Sequence, residues 1–201
     1  MLGDSAAAKT SSEELLVLAH QEGFALSASW ANIQHGYALA LEGETDEGIA
    51  QILEGLATVH ATRHLAALAQ SYCWLAESYA TAGQAEHARK ALAEAFAAME
   101  NIGERLYESE LHRVSGEVAL LSDPPDLSEA EKCFRVSIDT AHNSGAKLWE
   151  LRSAASLAVL LSKQGRRREA VAVLAPVYDS LPETDIADRR RAKSILTQLG
   201  A

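Results

Sequence analysis

Aromatic residues, prolines and cysteines are all scarce in this chain of 201 residues. Phe, Trp and Tyr make up 5% of the chain, which has four Pro and two Cys. Because Pro breaks helices, whereas the abundant Ala, Leu, Glu and Arg favour them, this composition predicts helix throughout. Cys73 and Cys133 are too few for a disulfide framework and have no C-x-x-C spacing, so we expect two small buried side chains in a reducing compartment.

Basic residues are in deficit, and long apolar runs are missing. The chain has 18 Lys plus Arg against 28 Asp plus Glu, which gives a formal net charge of −10. This balance argues against bulk affinity for nucleic acid or for membrane surfaces. No apolar run approaches the length of a membrane span, and the start, MLGDSAAAKTSSEELL, lacks the layout of a signal peptide. We therefore expect a cytoplasmic protein with no nucleic-acid partner and no membrane partner.

Motifs for catalysis and for phosphate binding are missing as well. The sequence has no G-x-x-x-x-G-K-[ST], no G-x-G-x-x-G and no G-x-S-x-G. His60 and His64 have the i, i+4 spacing with which two imidazoles can hold a metal ion on a helix, but no acidic residue follows the first His as in a zinc protease. We therefore expect no enzyme activity, no catalytic residue, no cofactor and no metal site.

A repeat with a period of about forty residues dominates what the chain does contain. Small residues recur in two sets, at Gly36, Ala76, Gly116 and Ala158 and then at Gly48, Ala88, Ala130 and Ala170. The spacings within the first set are 40, 40 and 42, and the gaps between the two sets are 12, 12, 14 and 12. Small side chains let two antiparallel helices approach to about 8–10 Å. Each pair of positions therefore predicts a helix–turn–helix unit with a close crossing.

Glycines and a capping motif mark the predicted turns. Gly43, Gly83 and Gly165 lie where a left-handed helix cap is needed, since glycine adopts that conformation without a Cβ penalty. The third unit has SDPPDLSE instead, in which Asp126 and Glu129 predict a capping box. The predicted first helices are 27–41, 65–82, 105–121 and 147–163, and the predicted second helices are 45–61, 85–101, 127–143 and 167–181.

The repeat resembles the tetratricopeptide repeat, a helix–turn–helix unit that stacks into a right-handed superhelix. The residues that match its signature are Leu75, Ala76, Tyr79, Gly83, Ala88 and Ala95. The period exceeds the usual 34 residues or so, because the Pro that commonly ends the second helix is present only as Pro182. Such long repeats are similar to the C-terminal helical region of large bacterial signalling proteins that carry an ATPase and a nucleotide-cyclase or transcription-activator module. The resemblance implies an all-α, right-handed solenoid.

The repeat also sets the expected domain organisation. We expect residues 1–10 to be disordered or vector-derived, and residues 11–201 to form a single solenoid domain. Its expected parts are a partial repeat at 11–23, repeats at 24–62, 63–103, 104–145 and 146–182, and a capping helix at 184–199. Because Gly23 precedes Gly36 as Gly103 precedes Gly116, residues 11–23 are interpreted as the second helix of an earlier repeat. The capping helix would cover the last apolar face, which a solenoid needs.

A candidate binding groove follows from the same resemblance. In stacked repeats the first helix of each unit lines the concave face, at offsets −6, −3 and +1 from the small residue. The candidate groove residues are Trp30, Tyr37, Glu77, Glu110, Arg113, Glu117 and Arg152. An aromatic end that grades into a charged middle suits a peptide or helix with one apolar anchor. Alternatively, Trp30 and Tyr37 pack against an upstream repeat, and the two arginines pair with nearby glutamates instead of a partner's carboxylate.

We therefore expect a non-catalytic protein-interaction module for signal transduction, forming the C-terminal part of a larger bacterial regulatory protein. Its partner would be a protein or peptide, including another domain of its own parent protein. Two alternatives stay open, namely self-association into a homo-oligomer and a sensor that holds a small ligand in the groove. The run Arg166–Arg168 is interpreted as a solvated turn, with a phosphate or acidic-partner patch as the alternative. No aromatic residues interleave with these arginines, which argues against nucleic-acid binding.

Overall fold

The chain folds into α-helices over the residues that the structure describes. A computed structural model describes residues 5–62 and 66–201, including their side chains except those of residues 5–7 and 20. Within these ranges the helices are α1 (Ser5–Gln21), α2 (Ala25–Glu42), α3 (Thr45–Ala61), α4 (Leu68–Thr81), α5 (Ala85–Ile102), α6 (Glu108–Ala119), α7 (Leu127–Ser144), α8 (Lys147–Lys163), α9 (Arg167–Asp179) and α10 (Ala187–Leu199). No β-strand occurs in either range. The predicted all-α class is confirmed.

Adjacent helices pair where the small-residue repeat predicts them. The pairs are α2 with α3, α4 with α5, α6 with α7, and α8 with α9, and the two helices of each pair pack against each other. The observed helix ends differ from the predicted ends by at most three residues. The start predicted for α4, residue 65, lies outside the described residues. The spacing of small residues therefore located the helix pairs correctly.

Small residues let the paired helices approach closely. A Cβ added to Gly36 of α2 would lie only 2.5 Å from the carbonyl oxygen of Gly48 in α3. In the third repeat, a Cβ on Gly116 would meet the ring of Phe134 at 2.5 Å, because this ring fills the space above the glycine. The equivalent residues of the second and fourth repeats are each 0% exposed, namely Ala76, Ala88, Ala158 and Ala170. These positions have no room for a larger side chain.

The turns also follow the predicted chemistry, with one exception. Gly43, Gly83 and Gly165 have φ angles of 99°, 72° and 78°, in the left-handed region that favours glycine. Only one of the two hydrogen bonds of the capping box predicted in the third repeat is present. The Glu129 N–H donates to Asp126 Oδ1 at 2.9 Å, but the Asp126 N–H donates to the carbonyl oxygen of residue 119 at 3.1 Å. Since this N–H is already bonded, Glu129 does not complete the box.

The N-terminal helix is longer than expected. We expect disorder in residues 1–10, but α1 begins at Ser5, so residues 5–10 are helical. Their Ala-rich sequence favours helix, and the Lys9 ammonium lies 3.3 Å from the Glu42 carboxylate and 3.5 Å from that of Glu44. Ser12, one turn further on, is buried. Packing against α2 therefore extends order to Ser5, while residues 1–4 lie outside the described residues.

Two compact units divide the chain, the first extending to Tyr107 and the second from Glu108 to Ala201. In the first unit each helix from α1 to α5 packs against the next, and α2 also contacts α4. In the second unit each helix from α6 to α9 packs against the next, α6 contacts α8, and α10 lies against α8 and α9. No helix in the described ranges combines the length and the apolar character needed to cross a membrane.

Candidate interaction surfaces

Three aromatic side chains meet in the first unit, and we call them the aromatic row: Tyr37 of α2, Trp74 of α4, and Tyr107. The rings of Tyr37 and Trp74 are parallel within 3°, with centroids 4.8 Å apart. The Tyr107 ring is nearly perpendicular to that of Trp74, at 6.3 Å. Stacked and edge-to-face pairs of this kind contribute about 0.5–1.5 kcal/mol each beyond their buried area. The three rings therefore hold one another in fixed orientations.

A carboxylate is held at the edge of this row. The Tyr37 hydroxyl donates a hydrogen bond to Glu77 Oε2 at 2.6 Å. Glu77 follows Trp74 by three residues on α4, so the two side chains share one face of that helix. Tyr37 is buried, whereas Trp74, Glu77 and Tyr107 are partly exposed. The first unit therefore presents aromatic surface beside a positioned negative charge.

Two of the predicted groove residues contribute to this surface. Tyr37 and Glu77 were among the predicted groove residues, and Trp30, also predicted, lies partly exposed on α2 two turns before Tyr37. Trp74 and Tyr107 are not at the offsets −6, −3 and +1 from a small residue, so the prediction missed them. The chain has only three Trp, and this scarcity is the signal that could have directed attention to position 74.

In the second unit, four charged side chains form a cluster that we call the ion cluster: Glu110 and Arg113 of α6, Arg152 of α8 and Asp188 of α10. The Glu110 carboxylate accepts hydrogen bonds from Arg113 Nε and Nη2, each at 3.1 Å. Arg152 Nη1 lies 2.7 Å from Glu110 Oε2, and Arg152 Nε lies 3.7 Å from Asp188 Oδ1. Glu110 and Arg113 are each 3% exposed. The cluster joins three helices inside the unit.

The charged groove residues predicted in the second unit thus contact one another. Arg113 and Arg152, which we considered as receptors for a partner's carboxylate, are paired with Glu110, as the alternative interpretation proposed. Glu117 accepts a hydrogen bond at 2.7 Å from the Ser156 hydroxyl and so links α6 to α8. These side chains hold α6 and α8 together, which leaves the first unit as the stronger candidate for partner binding.

Among the contacts given above for the ion cluster, that between Asp188 and Arg152 is the longest. Burial raises the pKa of the Asp188 carboxyl group, and the Arg152 guanidinium opposes this effect. Its Oδ2 atom is buried, and no hydrogen-bond partner for it occurs among the described residues. The ionised form is therefore disfavoured relative to its ordinary state in water.

Titration of Asp188 should be visible in the stability of the chain. Because the folded chain binds this proton more tightly than the unfolded chain, the contribution of Asp188 is fully present below its unfolded pKa and is lost as the pH rises through the raised folded value. Asp188→Asn removes this titration. We expect the wild type to become more stable relative to Asp188→Asn as the pH is lowered from about 7 to about 3.5. Urea denaturation of both proteins across this pH range measures the difference. A difference that is constant with pH would contradict the raised pKa.

The arginine run of the fourth repeat, Arg166–Arg168, makes specific contacts rather than forming only a solvated turn. Arg166 lies 2.5 Å from the Glu131 carboxylate of α7 and 2.7 Å from that of Glu169. Arg167 Nε donates to the Leu199 carbonyl oxygen at 2.9 Å, at the C-terminal end of α10. Cations at this end of a helix satisfy free carbonyl groups and interact favourably with the helix dipole. The run therefore fastens α9 to its neighbours.

Arg167 and Arg168 provide a matched comparison of this effect. Both side chains are exposed. We expect Arg167→Ser to lower the free energy of unfolding by about 1 kcal/mol, because it removes a charged donor from the Leu199 carbonyl oxygen at the end of α10. Arg168→Ser should change stability by less than about 0.5 kcal/mol. Urea denaturation of the two variants tests this difference, and equal values would exclude a capping role for Arg167.

The predicted histidine pair and the cysteines were compared with the requirements of a metal site and of a nucleophile. No group of three or more His, Cys, Asp or Glu residues there could hold a metal ion. His60 Nε2 lies 2.7 Å from the Tyr72 hydroxyl, while His64, its predicted companion, lies outside the described residues. Burial raises the pKa of the Cys133 thiol to about 11, so it is not a ready nucleophile at neutral pH.

The net charge is divided very unevenly between the two units. Residues 5–107 contain five Lys or Arg and 13 Asp or Glu, whereas residues 108–201 contain 13 Lys or Arg and 14 Asp or Glu. Residues 5–107 therefore carry −8 of the formal charge of −10 and residues 108–201 carry −1, so most of the charge belongs to the unit that also carries the aromatic row.

No model of a protein family matches this chain, and no curated protein matches it.

Proposed function

We propose that the chain is a non-catalytic protein-interaction module of tetratricopeptide-like repeats, and that it binds a peptide or helix of a partner protein. Successive helix pairs with left-handed glycine caps and small-residue crossings support the repeat class. The right-handed superhelix that the resemblance implies is part of this proposal. So is a place for the chain within a larger bacterial signalling protein of the cytoplasm, where the partner can be another domain of the same parent.

The aromatic row is the observation that carries the binding function. Aromatic residues make up only 5% of the chain, yet three of them meet on two successive first helices and the segment after α5. Trp and Tyr are enriched among the residues that dominate protein interfaces, because they bury a large area with few rotatable bonds. Partial exposure of Trp74 and Tyr107 leaves such area available to a partner.

The second unit has a supporting role in this proposal. Its inward charged residues are paired within the unit, and replacing those pairs with contacts to a partner would require breaking buried ion pairs, which is costly. The unit therefore acts as a stable part of the scaffold. Binding is assigned to the first unit, around Trp74.

Selection of peptides from a random display library on the purified chain tests this function. The strongest selected peptides should lose about 1–3 kcal/mol of binding free energy in Trp74→Ala, because the central ring of the row is removed. Leu53→Ala removes another exposed apolar side chain, on α3, and should leave the affinity nearly unchanged. Circular dichroism of both variants checks that the helices are intact. Selected peptides that bind Trp74→Ala as tightly as wild type would refute the assignment.

A further inference from the structure

We infer that the chain associates with itself head to tail, with α1 of one copy packed against α10 of a second copy. The inference goes beyond the proposed peptide-binding function and does not involve the aromatic row. Three observations carry it: the place of each helix in the repeat, an apolar groove on the outer face of α1, and opposite charges on the exposed faces of α1 and α10.

The helices α1 and α10 occupy complementary places in the repeat. α1 packs on α2 as α3 packs on α4, which is the place of a second helix. α10 packs on α8 and α9 as α4 packs on α2 and α3, which is the place of a first helix. Among the helices that the structure describes, α1 contacts only α2, and α10 contacts only α8 and α9. Since a first and a second helix form each pair within the chain, α10 and α1 of two copies can form one more pair.

The outer face of α1 holds two apolar side chains in a shallow groove. Val17 and Leu18 are 58% and 53% exposed. Together with three polar neighbours they line an open depression of about 350 Å³, the neighbours being Glu13, Glu14 and Gln21. Residues 14, 17, 18 and 21 have the i, i+3, i+4, i+7 spacing of a single helix face. A helix laid along this face would remove both apolar side chains from water, which favours association.

The exposed face of α10 has the same spacing and the opposite charge. Its exposed residues at i, i+3, i+4 and i+7 are Arg190, Lys193, Ser194 and Thr197. Arg190 pairs with Asp185 of its own chain at 2.6 Å, so Lys193 is the principal cation of this face. A lysine can lay its alkyl chain over apolar surface while its ammonium group stays at the edge. Lys193 can therefore cover part of the α1 groove and reach a carboxylate at its rim.

Charge favours this arrangement over a pair of two α1 helices. An α1–α1 pair would bring Glu13 and Glu14 of both copies together, within units whose described residues each carry −8. The helix α10 contains four Lys or Arg and one Asp. Opposite charges steer association, whereas like charges placed together oppose it. The acidic groove is therefore matched by α10 and not by a second α1.

Head-to-tail contact also determines how the assembly grows. Because α1 and α10 are different surfaces, two associated copies retain one uncovered α1 and one uncovered α10. Contacts of this kind continue to longer assemblies or close into a ring, whereas a self-complementary contact stops at a dimer. The mass of the assembly therefore reports which contact is made.

Sedimentation velocity of the full chain over a range of concentrations tests the inference. At low salt the average mass should rise with concentration and exceed that of a dimer, and added salt should reduce it. Glu14→Lys and Lys193→Glu should each weaken association about tenfold, because each places like charges in the contact. The controls make the same charge changes at exposed positions outside it. Glu54→Lys and Lys163→Glu should alter association less than about twofold.

An equimolar mixture of the two charge-reversed variants gives the sharpest test. The altered α1 of Glu14→Lys matches the altered α10 of Lys193→Glu, and the other two faces are those of the wild type. The mixture should therefore associate although each variant alone does so weakly. Leu18→Ser keeps every charge and should also weaken association, because it removes apolar contact from the groove. Circular dichroism checks that each variant keeps its helices.

The outcomes distinguish this inference from the proposed function. Peptides that depend on Trp74 should bind all of these variants as tightly as they bind the wild type. A chain that stays monomeric at every concentration, or a mixture that associates no better than its components, would overturn the inference and leave the peptide-binding module in place. Association that stops at a dimer and is unaffected by Lys193→Glu would show α1–α1 pairing and would overturn it as well.

Discussion

We expect Glu110→Gln to lower the free energy of unfolding of the second unit by about 3–5 kcal/mol. The Glu110 carboxylate is buried, accepts two hydrogen bonds from Arg113 and lies 2.7 Å from Arg152. A neutral amide in its place leaves two guanidinium groups with Asp188 as the remaining anion of the ion cluster. Breaking a buried ion pair by removing one member costs several kcal/mol.

Urea denaturation followed by circular dichroism measures this loss. Glu183→Gln changes an exposed carboxylate of the same unit and should alter stability by less than about 0.5 kcal/mol. The double variant Glu110→Leu/Arg113→Met removes both members of a pair and should be more stable than Glu110→Leu alone, because the single variant keeps a buried guanidinium that has lost its hydrogen bonds to Glu110. If Glu110→Gln is as stable as wild type, the cluster is not shielded from water.

We expect Gly36→Ala to destabilise the first unit by about 1–3 kcal/mol, although alanine is the better helix former. The added Cβ would lie 2.5 Å from the Gly48 carbonyl oxygen and 3.0 Å from both Gln51 Cβ and Ile52 Cγ1. The closest of these atoms belongs to the backbone and cannot rotate away. The α2–α3 crossing must therefore open, and the packing on both sides of it is lost.

The opposite substitution at an exposed position is the control. Ala50 lies on the exposed side of α3, and Ala50→Gly should destabilise by about 1 kcal/mol, the ordinary difference in helix propensity. Alanine is thus expected to stabilise relative to glycine at position 50 and to destabilise at position 36. Thermal and urea unfolding of both variants give the two signs. The same sign at both positions would show that the crossing has room for a methyl group.

The sequence alone determined the helices and their pairing. Gly43, Gly83 and Gly165 end helices through the conformation of their own backbone, and the recurrence of Gly36 and Gly48 at a separation of twelve residues marks the crossing of two neighbouring helices. These features depend on residues close in sequence. Local physical chemistry is therefore sufficient to predict them.

Only the tertiary structure decided which side chains meet across helices. Arg152 reaches Asp188 of α10, and Trp74 lies against Tyr37 of α2. Successive residues of a helix point about 100° apart, so a small change in how two helices are rotated decides whether position 73 or position 74 faces the exposed side. The repeat spacing fixes where helices cross but not this rotation, which is set by the packing of all the side chains between them.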